Sequence, residues 1–212
     1  MTELRFEVTD ATVERYAAVP TITLHLRVRE TTGATVHAAA VRCQVMIEPQ
    51  RRHYDDGERD RLEGVFGLAT QWGETLRHFL WTNVSTIITR FTGETTVELP
   101  IQLTYDFDVA GAPYLQSLGS GDIPLLCLFS GTTFVKGDAG FAVEPVAWNE
   151  EASFALPVAT YREAMDVHFP NSGWVRVHRD TLDRLQRFRT SQALPTWDAT
   201  FERLLKEAGQ DT

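Results

Sequence analysis

Apolar and polar residues alternate along much of the chain, and the longest unbroken run spans residues 97 to 109. Val97, Leu99, Ile101, Leu103, Tyr105, Phe107 and Val109 alternate with Glu98, Pro100, Gln102, Thr104, Asp106 and Asp108. A period of two sets the first series on one face of a strand and the second on the other. At about 3.3 Å per residue this strand would be roughly 40 Å long. Such a length calls for a bend or bulge, expected at Pro100, which cannot donate to a ladder. The rest of the chain is expected to cover that apolar face.

The same rhythm predicts further strands. Leu4, Phe6 and Val8 open the chain. Ile22, Leu24, Leu26 and Val28 follow Pro20, and Val41, Cys43, Val45 and Ile47 follow the turn signal Thr31-Thr32-Gly33-Ala34. A hairpin pairing Ile22 with Cys43 and Leu24 with Val41 would set both apolar rows on one face. Residues 79 to 91, rich in β-branched and aromatic side chains, return to strand. Residues 123 to 129 are apolar at consecutive positions and predict a strand covered on both sides. Residues 134 to 143 read as a hairpin about Gly137-Asp138-Ala139-Gly140, and Phe154 and Leu156 as a last short strand.

Helical spacing interrupts this pattern twice. Leu62, Val65, Phe66 and Ala69 predict a short helix near 58–69, weakened by Gly64 and Gly67. A single helical turn is expected around Tyr114, Leu115 and Leu118. From Pro157 the composition changes. Val158, Tyr161 and Met165 predict a helix beginning just after a proline. A brief strand is expected at Trp174, Val175 and Val177, then a helix through Leu182, Leu185 and Phe188. Thr196 is placed to cap a last helix carrying Trp197, Phe201, Leu204, Leu205 and Ala208. Strands first and helices last predict an α+β chain that is mainly β. The expected architecture is an antiparallel, immunoglobulin-like two-sheet sandwich over 1–156, with a helical extension over 157–212 packed on it or projecting from it. The alternative is one large curved antiparallel sheet with helices on one face.

Composition narrows the function classes. Hydrophobic residues make up 43% and charged residues 23% of 212 residues, enough for a sizeable core. A net charge of −9 argues against general nucleic-acid binding. The start of the chain has no basic, apolar leader, and no apolar run approaches membrane-spanning length, so a cytoplasmic protein is expected. Cys43 and Cys127 both lie in expected strands. They read as buried free thiols, with an inter-sheet disulfide as the alternative.

Candidate chemistry is sparse. Asp106 and Asp108 share a strand face and could act as an acid–base pair or hold a metal, but they equally suit a solvated face. The acidic run Asp55-Asp56-Gly57-Glu58 with Asp60 lacks the spacing of a calcium loop and fits the N-terminus of the following helix. Gly119-Ser120-Gly121-Asp122 lacks the lysine and helix of a phosphate loop and reads as a turn. Ser130-Gly131 lacks the preceding glycine of a nucleophile elbow. The six histidines have no ligand spacing, and Asp166 and His168, close together with Glu163 before them, would need a distant third ligand to bind metal. No catalytic residue, cofactor or metal site is therefore expected.

Charge is the most uneven feature. Residues 174 to 190 hold Arg176, Arg179, Arg184, Arg187 and Arg189 against Asp180 and Asp183, a segment at +3 in a chain whose remainder carries −12. Arg184 and Arg187 would share a helix face. Trp174, Arg176, Arg179, Arg184, Arg187 and Trp197 together form a candidate partner-docking surface of the kind enriched at interface hot spots. The competing reading pairs these arginines with the acidic body of the same molecule.

Several phrases carry a family resemblance. They are Arg42-Cys43-Gln44 through Ile47-Glu48-Pro49-Gln50-Arg51-Arg52, Tyr105-Asp106-Phe107, Ile123-Pro124-Leu125-Leu126 through Leu128-Phe129-Ser130-Gly131, Phe169-Pro170-Asn171-Ser172-Gly173-Trp174 and Ala193-Leu194-Pro195-Thr196-Trp197. Over nearly its whole length the chain resembles an actinobacterial domain-of-unknown-function family. The resemblance carries no catalytic motif, but it implies a gene context near nickel–iron hydrogenases. The expectation is a non-enzymatic accessory protein that supports assembly or stability of a hydrogenase-type complex, with hydrogenase subunits or maturation factors as partners. A small-ligand binder or enzyme with a site assembled from distant loops is the alternative. A homo-oligomeric structural protein is a third reading.

Overall fold

The structure is a computed structural model that describes residues 2–103, 111–137, 140–172 and 177–210. Its first compact unit, residues 1–171, is built on two antiparallel sheets. The smaller sheet has the order β1 (Leu4–Val13), β2 (Thr21–Glu30), β6 (Glu94–Gln102). The larger runs β4 (Phe79–Ile88), β3 (Thr35–Ile47), β7 (Asp122–Gly137), β8 (Gly140–Pro145); β5 (Phe91–Thr92) also pairs with β3, and β9 (Glu151–Pro157) with β7. Two sheets replace the single curved sheet, and the mainly β, two-layer reading holds.

Alternation explains the core. Ile22, Leu24, Leu26 and Val28 of β2 face Val41, Cys43, Val45 and Ile47 of β3 from opposite layers, and all are buried. Each such residue taken fully out of water contributes about 1.5–3 kcal/mol. Phe6 and Phe129 stack across the layers with ring centroids 4.2 Å apart. Cys43 and Cys127 are buried free thiols, as expected, and no disulfide joins them. A hydrogen bond with Cys127, reinforced by burial, pushes the Cys43 thiol up.

Two expectations are corrected here. β2 and β3 form no hairpin: β2 pairs with β1 and β6, and β3 with β4, β5 and β7. Both apolar rows do face one core, but across the sandwich, a distinction that a period of two does not encode. Glu30 braces the turn at this crossing. Its buried carboxylate accepts from the Thr32 N–H (3.0 Å), the Ala34 N–H (2.8 Å) and the Thr32 hydroxyl. The second correction concerns the long alternating stretch. β6 is an edge strand ending at Gln102, and its register with β2 runs unbroken past Pro100. An edge strand needs only alternate N–H groups for its ladder, so the proline is accommodated without a bulge. Residues 104–110, with Asp106 and Asp108, lie outside the described residues. The strands that organise the larger sheet are β3 and β7. They approach so closely at Gly131 that a Cβ there would sit 2.1 Å from the Ala40 carbonyl oxygen.

Helices close the ends of the sandwich. α1 (Asp56–Phe66) carries the expected acidic cap: the Asp55 carboxylate accepts from the Glu58 N–H at 2.7 Å, and the Glu58 carboxylate from the Asp55 N–H at 3.3 Å. A short α2 (Trp72–Thr75) and α3 (Ala112–Ser117) follow, and α3 packs against α1. α4 (Val158–His168) begins after Pro157 and buries Val158, Tyr161 and Ala164 while packing against β1, β2 and β9. The first unit accordingly continues past residue 157, to Asn171.

The second unit, residues 172–212, consists of α5 (Arg179–Ser191) and α6 (Trp197–Glu207). Thr196 caps α6, its hydroxyl accepting from the Ala199 N–H at 3.1 Å. The brief strand expected at Trp174 and Val175 lies outside the described residues, and Val177 is not in a strand.

Candidate functional site

The arginine-rich segment forms α5. Apolar residues Leu182, Leu185 and Phe188 recur every three positions, so they lie on one side of the helix. Arg179, Arg184 and Arg187 are exposed. Trp174 and Arg176, the other members of the predicted surface, lie outside the described residues. Trp197 opens α6 and stacks with Phe201, ring centroids 6.1 Å apart. The Arg189 guanidinium sits over the Trp197 ring at 4.7 Å. That geometry favours cation–π attraction, and it adds Arg189 to the candidate set. The signal was in the sequence, since Arg189 belongs to the same basic run, but its pairing with a tryptophan eight residues on needs the turn between the helices.

That turn places Ala193 at φ 53°, with the Leu194 N–H donating to the Arg189 carbonyl at 3.0 Å. It reverses the chain and brings α6 back against α5. Among the described residues of this unit, Thr200 alone is buried. Leu182 is 41%, Phe201 44% and Leu205 51% exposed. A pair of helices this short, with its apolar stripe in water, lacks the core that an independent unit of about 40 residues needs. Within the unit, no described carboxylate forms an ion pair with Arg179, Arg184, Arg187 or Arg189; Arg203 pairs with Glu207 at 2.8 Å.

A second candidate lies in the first unit, a cavity of about 650 Å³ beside the N-terminus of α1. Glu48, Arg51, Arg52, Asp55, Glu58 and Asp122 bring charge to it. Most of that charge is consumed internally. Arg51 pairs with Glu48 at 2.9 Å, and the buried Arg52 with the buried Glu58 at 2.6 Å. Arg52 also donates to the Ser120 and Asp122 carbonyls, and the Gly119 N–H donates to Glu58 at 2.6 Å. The Asp55–Glu58 cap and the Gly119–Asp122 turn are thus clamped together by one ion pair. Below the clamp, the Tyr54 hydroxyl donates to the Pro49 carbonyl at 2.7 Å and lies 3.0 Å from the Tyr114 hydroxyl. Burial, and the Tyr114 phenol beside it, push the Tyr54 phenol up. The cavity is a braced junction, with its acids and bases directed at one another.

The remaining candidates are dispersed. His168 donates from Nε2 to the Ala17 carbonyl (2.8 Å), Glu163 pairs with Arg15, and the two strap the β1–β2 loop to α4 instead of converging with Asp166 on a metal. Among the described residues no group of three potential ligands is placed to hold a metal ion. Among the described residues no helix is long and apolar enough to cross a membrane.

Solved structures share only distant likeness with the chain. β-Glucosidase 3B from Thermotoga neapolitana is 14% identical over 73% of this chain and 17% of that one, with a TM-score of 0.27. A putative late embryogenesis abundant protein is 13% identical over 73% of this chain and 71% of that one, at 0.29. AggA, the major subunit of an Escherichia coli aggregative adherence fimbria, is 9% identical over 74% and 94%, at 0.25. The chain thus spans about a sixth of the glucosidase, and scores this low carry no inference. No curated protein sequence matches. A family model does match, over residues 1–212, and the chain belongs to that family, a family of unknown function, DUF6084.

Proposed function

We propose that the protein is a non-enzymatic accessory protein that docks another protein through its C-terminal helices. One observation carries this reading: α5 and α6 expose an apolar stripe flanked by arginines that no described carboxylate of their own unit neutralises. The matching partner surface is an apolar groove rimmed by aspartates and glutamates. Leu182, Phe201 and Leu205 would supply buried area, and Arg184 and Arg187 would set orientation and association rate. The family resemblance suggests subunits or maturation factors of a nickel–iron hydrogenase-type complex as the first partners to try. Support for the accessory reading over a ligand-binding one comes from the α1 cavity, whose charged groups are largely engaged with each other.

The test is capture from host extract with the tagged full chain and with Arg184→Glu/Arg187→Glu. A hydrogenase subunit or maturation factor recovered in stoichiometric amount by the first and lost by the equally folded second supports the reading. Equal recovery by both, or recovery of the protein alone, overturns it.

A further inference from the structure

The two outer faces of the sandwich differ in kind. On the smaller sheet the solvent side is densely charged: Arg27 pairs with Glu7 at 3.0 Å, Arg29 with Glu94 at 2.5 Å, and Glu98 and His25 stand opposite one another in the ladder. That is what a face kept in water looks like.

The larger sheet presents the opposite. The registers align Leu80, Met46 and Leu126 across three strands on its solvent side, and Leu128 stands next to Gln44 one row along. Ile87, further up β4, is 74% exposed, and Leu80 42%. Between these rows, across β4, β3, β7 and β9, the charged side chains among the described residues are Arg42 and Glu151. The expectation that residues 123 to 129 are covered on both sides fails here. Ile123, Leu125 and Cys127 are buried, while Leu126 and Leu128 are half exposed. The chain encodes a strand to be covered twice, and the described residues supply one cover.

We infer that this face is the interface of a two-fold symmetric dimer, with a second copy of the chain as its occupant. Charge favours a self-complementary partner. The face carries one cation and one anion, set apart on different strands and rows. A two-fold axis lying between the packed sheets, along the perpendicular bisector of the Arg42–Glu151 line, sets each Arg42 against the Glu151 of the second copy, twice over. Isologous contacts satisfy both charges in this way. Area sets the strength. Three strands about 4.8 Å apart, read over seven residues of about 3.3 Å, with β9 alongside from Ser153 to Glu151, give a face of roughly 380 Å². Two such faces hide about 760 Å² before side-chain relief is counted, at the small end of specific interfaces. Sheets so packed lie about 10 Å apart, filled by the Leu80, Met46 and Leu126 row. The dimer is therefore of modest affinity, with a dissociation constant on the order of micromolar.

Sedimentation equilibrium of the full chain, from roughly 1 to 100 μM, reads the association directly. The expected result is a dimer of the 23.9 kDa chain. Arg42→Glu, at an exposed position, should weaken association by about tenfold or more, and Arg42→Glu/Glu151→Arg should restore it. Thr96→Lys, on the other sheet's outer face, should leave it unchanged. Circular dichroism of each variant confirms the fold. A monomer throughout the range, or a dimer whose affinity is the same in Arg42→Glu and wild type, overturns the assignment.

Discussion

Removing the Glu58 carboxylate should be among the most damaging single changes in the first unit. Its side chain is 2% and that of Arg52 8% exposed, with 2.6 Å between them. Two backbone N–H groups, of Gly119 and Asp55, complete its acceptor set. Glu58→Ala strands a buried guanidinium that already has one donor, Nε, without an acceptor. Breaking a buried pair from one side costs about 3–5 kcal/mol, because an uncompensated charge remains. Arg52→Met should cost less, about 2–3 kcal/mol, since Glu58 keeps its two N–H donors while the Ser120 and Asp122 carbonyls lose theirs. The double variant should cost less than the sum of the two singles by about 2 kcal/mol or more. Urea unfolding followed by near-ultraviolet circular dichroism checks this through the midpoint at constant slope. A Glu58→Ala cost below about 1 kcal/mol, or strict additivity in the double variant, would refute the clamp.

Other consequences are equally open to measurement. Gly131→Ala puts a methyl group 2.1 Å from the Ala40 carbonyl oxygen, and should destabilise by about 3 kcal/mol or more in the same assay. Ala193→Gly should do the reverse. It relieves a positive φ at the α5–α6 turn, adding up to about 1 kcal/mol, read as slower amide exchange in α5 and α6. Two glutamates should shape the pH profile with opposite signs. Burial opposes ionisation of Glu30, but hydrogen bonds from Thr32, Glu3 and Ala34 outweigh it and hold the carboxyl below its ordinary value. Its contribution is present above the ordinary carboxylate pKa and is lost as pH falls through the depressed one, so Glu30→Gln should flatten the acid limb of stability. Burial pushes Glu150 up despite the Arg5 guanidinium. Folding stability there declines as pH rises through the raised value, so Glu150→Gln should gain on wild type between acid and neutral pH.

The strands were readable from alternation because each has one face on the core. Partnership was not, because Ile22 and Cys43 satisfy the same pattern as neighbours in one sheet or as opposite walls of a sandwich. The Glu30 carboxylate braces the turn that leads from one sheet to the other, and a buried acid has no periodic signature. Caps were legible at Asp55 and Thr196, where the residue type is the mechanism. The Arg52–Glu58 clamp was not, since two of the three acceptors of Arg52 are carbonyls of a distant turn. On α5 the basic run was plain, yet the Arg189–Trp197 contact depends on a left-handed Ala193 that few sequences signal. Leu126 and Leu128 were read as core from their neighbours; only the sheet's registers show them facing outward.

Hydrogen exchange of the full chain, alone and with a captured hydrogenase-type partner, bears most directly on the proposed role. Docking through the helices predicts new protection of backbone amides in residues 179–191 and 197–207, abolished in Arg184→Glu/Arg187→Glu. Protection confined to the sandwich, with both helices exchanging as freely in the complex as alone, would contradict it.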